Sequence, residues 1–268
     1  MATIRVSDAS IEYRQDGRGP DLLLLHSLLT EMSVFDRIRP PLARTHRVTC
    51  LNLPGFGASD PIELNSVAEH ADHVARVMDA LSLPPNTDVF GNGFGAFVAL
   101  ELAIRHGARI GRLIVADTAS GFPEAAKAPF RGMADKVRTT GISAILDTAI
   151  GRMFPTAFQT SHPEMVAARK AALAPADAAC FARACLALAE LDLRSRLPSI
   201  RNSTLVMCGA LDQTTPPTLA REVAIAIPGA VYREIEDSGH CPMLEQPEAL
   251  VSMIESFTSG SASSPAGD

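Results

Sequence analysis

Apolar residues recur along this chain in two alternating patterns. Ile4 to Val6 and Ile11 to Tyr13 alternate with polar neighbours, which predicts a hairpin followed by the loop Asp16 to Pro20 (DGRGP). Leu22 to Leu25 form an unbroken apolar run closed by His26. A strand covered on both faces needs no polar side, and such strands belong to parallel sheets flanked by helices. The pattern then predicts a helix ending at Leu42 and a strand over Arg47 to Leu51, closed by LPGFGASD. Ser66 and Glu69 make a capping box, and Val67, Ala71, Val74, Val77, Met78 and Leu81 follow at helical spacing. Val89 and Phe90 form a short strand that runs into Gly91-Asn92-Gly93-Phe94-Gly95, and a helix then opens on Ala96 and reaches about His106. Arg112 to Asp117 reads as another buried strand.

From Gly121 to about Pro198 the alternation stops. This stretch is Ala-rich and helical, with breaks expected at Pro123, Pro129, Pro155, Pro163 and Pro175. Strands and helices resume with Ser203 to Cys208, the loop GALDQTTPP, a helix through Ala226, a strand over Val231 to Ile235 and a last helix from about Pro247 to Phe257. The expected division is a core of residues 1–120 and 199–258, a helical cap of 121–198, and a disordered tail of 259–268. Strand-helix alternation with one insertion implies an α/β fold with a right-handed, mostly parallel sheet and helices on both faces.

Composition narrows the partners. The chain has 268 residues, enough to bury a large core, and its net charge of −6 argues against nucleic acid or an anionic membrane. Five cysteines lie in apolar contexts without a C-x-x-C pair, so reduced core thiols are expected, with no disulfide and no metal site. With neither an apolar leader nor a run of about 18 apolar residues, the expectation is a cytoplasmic protein.

Strand, glycine-crowded turn and helix over Thr87 to Leu100 have the form of a nucleophile elbow, G-x-S-x-G, with Gly93 where the serine belongs. After the Leu22 to Leu25 strand, His26-Ser27-Leu28 takes the place of an oxyanion segment, so the backbone donors by position are Leu28 and Phe94. Asp212 follows a buried strand, where it can accept from a histidine Nδ1–H or simply cap a turn. His240, in SGHCPMLEQPE after the last strand, can reach over the elbow as a general base. The order nucleophile position, acid, histidine fits this elbow type. His46, His70, His73, His106 and His162 lack such settings and read as surface or cap residues, and Cys241 should point away from the elbow.

These segments taken together, HS, LPGFGASD, GNGFGA, GALD and SGHCPMLEQPE in this order, make the chain resemble the α/β-hydrolase superfamily over nearly its whole length. Within it, the chain is most similar to the 3-oxoadipate enol-lactonase group and its small-ester and lactone-hydrolysing relatives. The resemblance implies a cofactor-free hydrolase of a small ester or lactone, monomer or homodimer, with catalytic positions Gly93, Asp212 and His240, an oxyanion hole at Leu28 and Phe94, and substrate binding by His26, Ser27 and Asn92. The cavity is expected between cap and strand ends, lined partly by Phe and Met of the insertion. Arg131, Arg138, Arg152 and Arg183 are the candidates to pair with a substrate carboxylate.

Gly93 excludes an acyl-enzyme at that residue. Three readings stay open: a serine hydrolase disarmed at residue 93, a hydrolase in which His240 activates water directly, and a non-catalytic homologue that binds a small ligand. Two further alternatives concern neighbouring residues. Asp117 could serve as the acid in place of Asp212, and Gly91 to Ala96 also satisfies G-x-G-x-x-A, the fingerprint of an NAD-dependent oxidoreductase.

Overall fold

β1 (Ala2–Val6) and β2 (Ala9–Gly17) form the antiparallel hairpin. β3 (Asp21–Leu25) is buried at every residue, as its unbroken apolar run requires, and lies between β4 (Arg47–Leu51) and β5 (Thr87–Asn92), parallel to both. β6 (Ile110–Ala116), β7 (Thr204–Gly209) and β8 (Val231–Ile235) continue the parallel part. The computed structural model describes residues 1–260, and its eight-stranded sheet has the order β1-β2-β4-β3-β5-β6-β7-β8. The disorder expected for the tail falls almost wholly outside the described residues.

Between β3 and β4 the chain makes a 3-10 turn at Met32–Phe35 and one α-helical turn, α1 (Arg39–Leu42). This is shorter than the periodicity suggests, because Pro40 and Pro41 have no N–H to donate and are tolerated only in a first turn. α2 (Val67–Ala80) starts where Ser66 Oγ accepts from Glu69 N–H at 3.2 Å, and the Glu69 carboxylate accepts in turn from Asn65 N–H. α3 (Phe94–His106) follows the elbow.

The stretch between β6 and β7 holds α4 (Glu124–Thr140), α5 (Leu146–Met153), α6 (Thr156–Ser161), α7 (Pro163–Leu173) and α8 (Ala178–Ala189). α4 runs through Pro129, contrary to the break expected there. Pro129 is exposed and near the start of the helix, so only one backbone bond is lost, and the apolar face that includes Ala134 and Val137 holds the rest of the helix. α9 (Pro217–Ala226), α10 (Pro242–Glu245) and α11 (Pro247–Thr258) complete the chain. Among the described residues no single helix is long and apolar enough to cross a membrane.

The strand order positions the site. From β3 the chain crosses to β4 on one side, whereas from β5 it crosses to β6 on the other. Right-handed crossovers in opposite directions put their helices on opposite faces, which leaves a crevice at the carboxyl ends of β3 and β5.

Three histidines differ from the surface role expected of them. His46, His70 and His73 are buried, and His70 packs its ring edge-on against Phe94 at 4.9 Å between centroids. Neither His70 ring nitrogen has a hydrogen-bond partner among the described residues. Burial, with repulsion from His73 and His26, pushes the His70 pKa down to about 3, and burial with Arg76 pushes His73 to about 4. The unfolded chain therefore takes up protons at about pH 6.5 that the folded chain refuses. At these two histidines the folded state bears no penalty above pH 6.5, and the penalty grows as pH falls from there toward 3. We expect His70→Leu to lose about 2 kcal/mol less stability than the native chain between pH 6.5 and 5, read by urea denaturation at both pH values. Equal losses in the two proteins would remove His70 as a source of acid sensitivity.

Candidate active site

The elbow is built by close backbone approach. A Cβ at Gly91 would come within 3.0 Å of the backbone of Gly95 and Ala96, and one at Gly95 within 3.0 Å of the Leu25 and His26 carbonyls. Only glycines let α3 start this close to β3 and β5. Gly93, at the tip, has φ 54° and ψ −118°, and its N–H donates to Ala116 O at 3.0 Å. The backbone therefore holds the strained conformation of a nucleophile residue although no side chain is present. Phe94 opens α3, and its N–H, like that of Leu28, donates to no other group among the described residues.

A Cβ at residue 93 would meet three atoms: Ser27 Oγ, Ser27 Cβ at 2.9 Å and His240 Nε2 at 2.9 Å. His240 thus faces the elbow tip. Its Nδ1–H donates to Asp212 Oδ2 at 2.8 Å, which orients the ring and turns Nε2 toward the tip, where the neutral imidazole presents its lone pair. Asp212 is held in turn. Thr215 Oγ1 donates to Oδ2 at 2.8 Å, and the Thr214 and Thr215 N–H groups donate to Oδ1 at 2.7 and 3.2 Å. The His240 loop is pinned by its own N–H on Met153 O at 2.9 Å, and by Gly239 and Cys241 N–H on the Glu245 carboxylate at 2.7 and 2.9 Å. Thr214, Thr215 and Glu245 stood inside GALDQTTPP and SGHCPMLEQPE, and their partners lie within six residues in the same segments. Hydroxyl and amide donors just after an aspartate, and a carboxylate closing the His240 loop, were the local signals that could have found them.

Burial works against charge on both members of the pair, yet each stabilises the other's ionised form. The adjacent Asp212 carboxylate outweighs burial and pushes His240 up to about 9, while His240 and the threonine donors hold the Asp212 carboxyl below its usual range. Asp117 is raised to about 8, first by burial and then by the Asp212 charge. Burial likewise raises Glu245 to about 7 against its two N–H donors. Asp117 is thus largely neutral at pH 7, and the hydrogen bond on His240 Nδ1 goes to Asp212. Asp117 Oδ2 accepts from Asn92 Nδ2 at 2.7 Å and Oδ1 from Gly209 N–H at 2.9 Å. One ligand atom each from Asp117, Asp212 and His240 lies within 4.8 Å of the others, a spacing that could suit a cation, but these hydrogen bonds already engage all three.

Of the three residues expected to bind substrate, Ser27 borders the cavity while His26 and Asn92 do not. Both corrections follow from burial with internal partners. His26 Nδ1–H donates to Ser27 O at 2.8 Å, and its Nε2 accepts from Leu53 N–H at 3.0 Å. Asn92 Nδ2 bridges Asp117 and His240 O, so it lies behind the histidine. Cys241 is buried, its thiol raised by burial, and it does not border the cavity.

The cavity, about 600 Å³, lies above the tip and suits a small organic ligand. Ser27, Leu28, Gly93, Phe94 and His240 form its floor, and Phe122, Phe130, Met133 and Leu188 are among its apolar walls. Of the four arginines considered for a carboxylate, only Arg152 borders it, joined by Lys136. The others are corrected: Arg131 pairs with Glu124 and Glu190, Arg183 pairs with Glu63, and Arg138 is exposed away from the cavity. The dinucleotide reading also fails, since the Asp117 carboxylate that would hold a ribose is fully buried beneath His240.

Comparison with known proteins shows the family. A model of the alpha/beta hydrolase fold matches residues 20–247, and the chain belongs to that family. Within it the chain falls among enol-lactonase-like proteins: it is 30% identical over 258 residues to 3-oxoadipate enol-lactonase 2 of Acinetobacter baylyi, covering 94% of each chain. Two solved structures are similar throughout. The enol-lactonase from Burkholderia xenovorans LB400 has a TM-score of 0.90 at 27% identity, over 96% of this chain and 100% of that one. A thermophilic esterase from Thermogutta terrifontis has a TM-score of 0.89 at 27% identity, over 97% and 98%.

The contact between Ser27 and position 93 has a measurable consequence. Gly93→Ser places a Cβ against Ser27 and is expected to destabilise the fold by about 1–3 kcal/mol. Ser27→Gly in the same chain removes both obstructing atoms and should recover most of that loss, as measured by urea denaturation. If the second substitution recovers nothing, the cost lies in the backbone strain at residue 93 and not in Ser27.

Proposed function

We propose that this chain hydrolyses a small ester or lactone in the cavity above Gly93. His240 is the general base, Asp212 its orienting acid, and the N–H groups of Leu28 and Phe94 receive the oxyanion. The observation that carries this reading is the direction of His240: Nδ1 is tied to Asp212, and Nε2 faces the elbow tip at the cavity floor. A binding protein has no need of an oriented base beside two free N–H donors. The relatives named enol-lactonase and esterase support the same class of reaction.

The chemistry follows from these groups. The substrate carbonyl lies over Gly93 with its oxygen toward the two N–H donors. His240 Nε2 takes the proton of the attacking hydroxyl as the C–O bond forms, and Asp212 stabilises the resulting imidazolium. Donors fixed in place beforehand stabilise the developing negative charge without reorganising. The imidazolium then returns its proton to the departing alkoxide. Mostly apolar walls that include Lys136 and Arg152 favour an acyl group that is apolar or ends in a carboxylate.

On a panel of short esters and enol- or aryl-lactones, His240→Gln is expected to lower kcat/KM at least about a hundredfold. Retained activity in that variant would sink the assignment. The base works only when neutral, and its pKa is pushed up to about 9. The rate should therefore climb with pH and level off near 9, where an unperturbed histidine would level near 6.5. A plateau already reached at pH 7 would contradict the ion pair as its cause. For substrates bearing a carboxylate, Arg152→Ala should raise KM about tenfold, with neutral esters unchanged. An equal effect on both kinds would make Arg152 a wall residue only.

A further inference from the structure

We propose that Ser27 is the nucleophile of this site, its hydroxyl standing on the strand end next to the elbow in place of the one absent at residue 93. The inference rests on the hydrolase reading above and gives it a covalent intermediate.

Strand register is the first support. β3 and β5 are adjacent and parallel, with Leu22 opposite Asp88 and Leu25 opposite Gly91. Carried two residues further, the same register sets Ser27 against Gly93, so the two positions are neighbours at the carboxyl end of the sheet. Space is the second support. Ser27 Oγ and His240 Nε2 both lie within 3.0 Å of the single point where a residue-93 Cβ would stand. The Ser27 hydroxyl occupies the volume that an elbow side chain would fill, and that volume faces the base.

The surroundings treat Ser27 as a fixed group with a free hydroxyl. Its carbonyl accepts from His26 Nδ1 at 2.8 Å and from Thr30 N–H and Oγ1, each at 3.2 Å, so the backbone is held on three sides. Its Oγ has no hydrogen-bond partner among the described residues, although Ser27 is 3% exposed and borders the cavity. His240 Nε2 is likewise without a partner. Both atoms keep access to the cavity, since neither is among the fully buried polar atoms that lack a partner. Here donor and base stand apart in the free protein, and such pairs close when substrate is bound. The two N–H donors keep their places, because Leu28 follows Ser27 as Phe94 follows Gly93.

The steps balance without any other reactant. His240 Nε2 takes the Ser27 Oγ proton, and Oγ bonds to the carbonyl carbon, giving a tetrahedral alkoxide on the Leu28 and Phe94 N–H groups. Collapse breaks the C–O bond to the leaving group, which takes the proton from His240 and departs as the alcohol, or stays tethered in a lactone. Water then attacks the acyl-serine while giving a proton to His240. Collapse releases the carboxylic acid, and Ser27 recovers its proton.

The test is labelling of the intact chain with a fluorophosphonate, with the adduct placed by mass spectrometry, alongside hydrolysis of the ester and lactone panel. The expected result is an adduct on Ser27, absent from Ser27→Ala and at least tenfold slower to form in His240→Gln, together with at least hundredfold lower turnover by Ser27→Ala. Ser27→Cys guards against a folding failure. Its thiol should capture an acyl group from an activated thioester, while the five native thiols, all buried, do not. Turnover by the native chain with no adduct on Ser27 would overturn the proposal and leave His240 acting on water. An adduct without turnover would keep Ser27 as the nucleophile and defeat the hydrolase reading. Neither adduct nor turnover would defeat both.

Discussion

The site depends on how closely α3 approaches β3 and β5. With glycines at 91 and 95, the helix backbone rests directly on the strand ends, and no Cβ fits between them. That contact fixes the first N–H of α3, sets the left-handed conformation of Gly93, and brings the Ser27-Leu28 segment against the elbow. All the functional distances follow from it. A larger residue at 91 or 95 would separate the two strand ends before it touched any catalytic side chain.

Electrostatics on the other side of the elbow obey a similar economy. His240, Asp212, Asp117 and Glu245 share one buried region. Four groups there could not all be charged. Asp212 takes the negative charge, because His240, two N–H groups and a threonine hydroxyl all favour its ionised form. Asp117 and Glu245 rise toward neutrality, so each gains stability from its hydrogen bonds and adds little repulsion. The outcome is one ion pair aimed at one point. It explains why the His240 hydrogen bond goes to Asp212 although Asp117 lies close by.

Substitution of the elbow residue need not empty such a site of chemistry. The backbone donors, base and acid are supplied by different strands and loops, and each is held by contacts that do not involve a residue-93 side chain. Glycine even relaxes the strain of that turn. The volume above Gly93 belongs as much to β3 as to β5, and a hydroxyl from either strand faces the same histidine.

Much of this was legible in the linear chain. The buried-strand runs at Leu22 to Leu25 and Arg112 to Asp117, the glycine turn at 91–95, and the order of elbow, Asp212 and His240 are local patterns, and local patterns follow from backbone sterics and hydrophobic period. Other features needed the folded protein. Pro129 reads as a break, yet packing carries α4 through it. His70 and His73 read as surface residues because a helical face that buries histidine looks, in sequence, like one that does not. His26 and Asn92 sit beside the right motifs but turn inward, since the buried groups they satisfy belong to distant segments. The preference for Asp212 over Asp117, already drawn from chain order, gained its physical reason from the donors and charge around the buried pair. The choice of Arg152 over three other arginines was made by tertiary distance. So was the position of Ser27 against Gly93: 66 residues separate them in the chain, and only the parallel register of β3 and β5 brings them together. The sequence by itself determined the fold and the chemical inventory, because those are written in short-range pattern. Which members of the inventory meet was decided by the sheet, because strand register and side-chain burial are set by contacts between residues far apart in the chain.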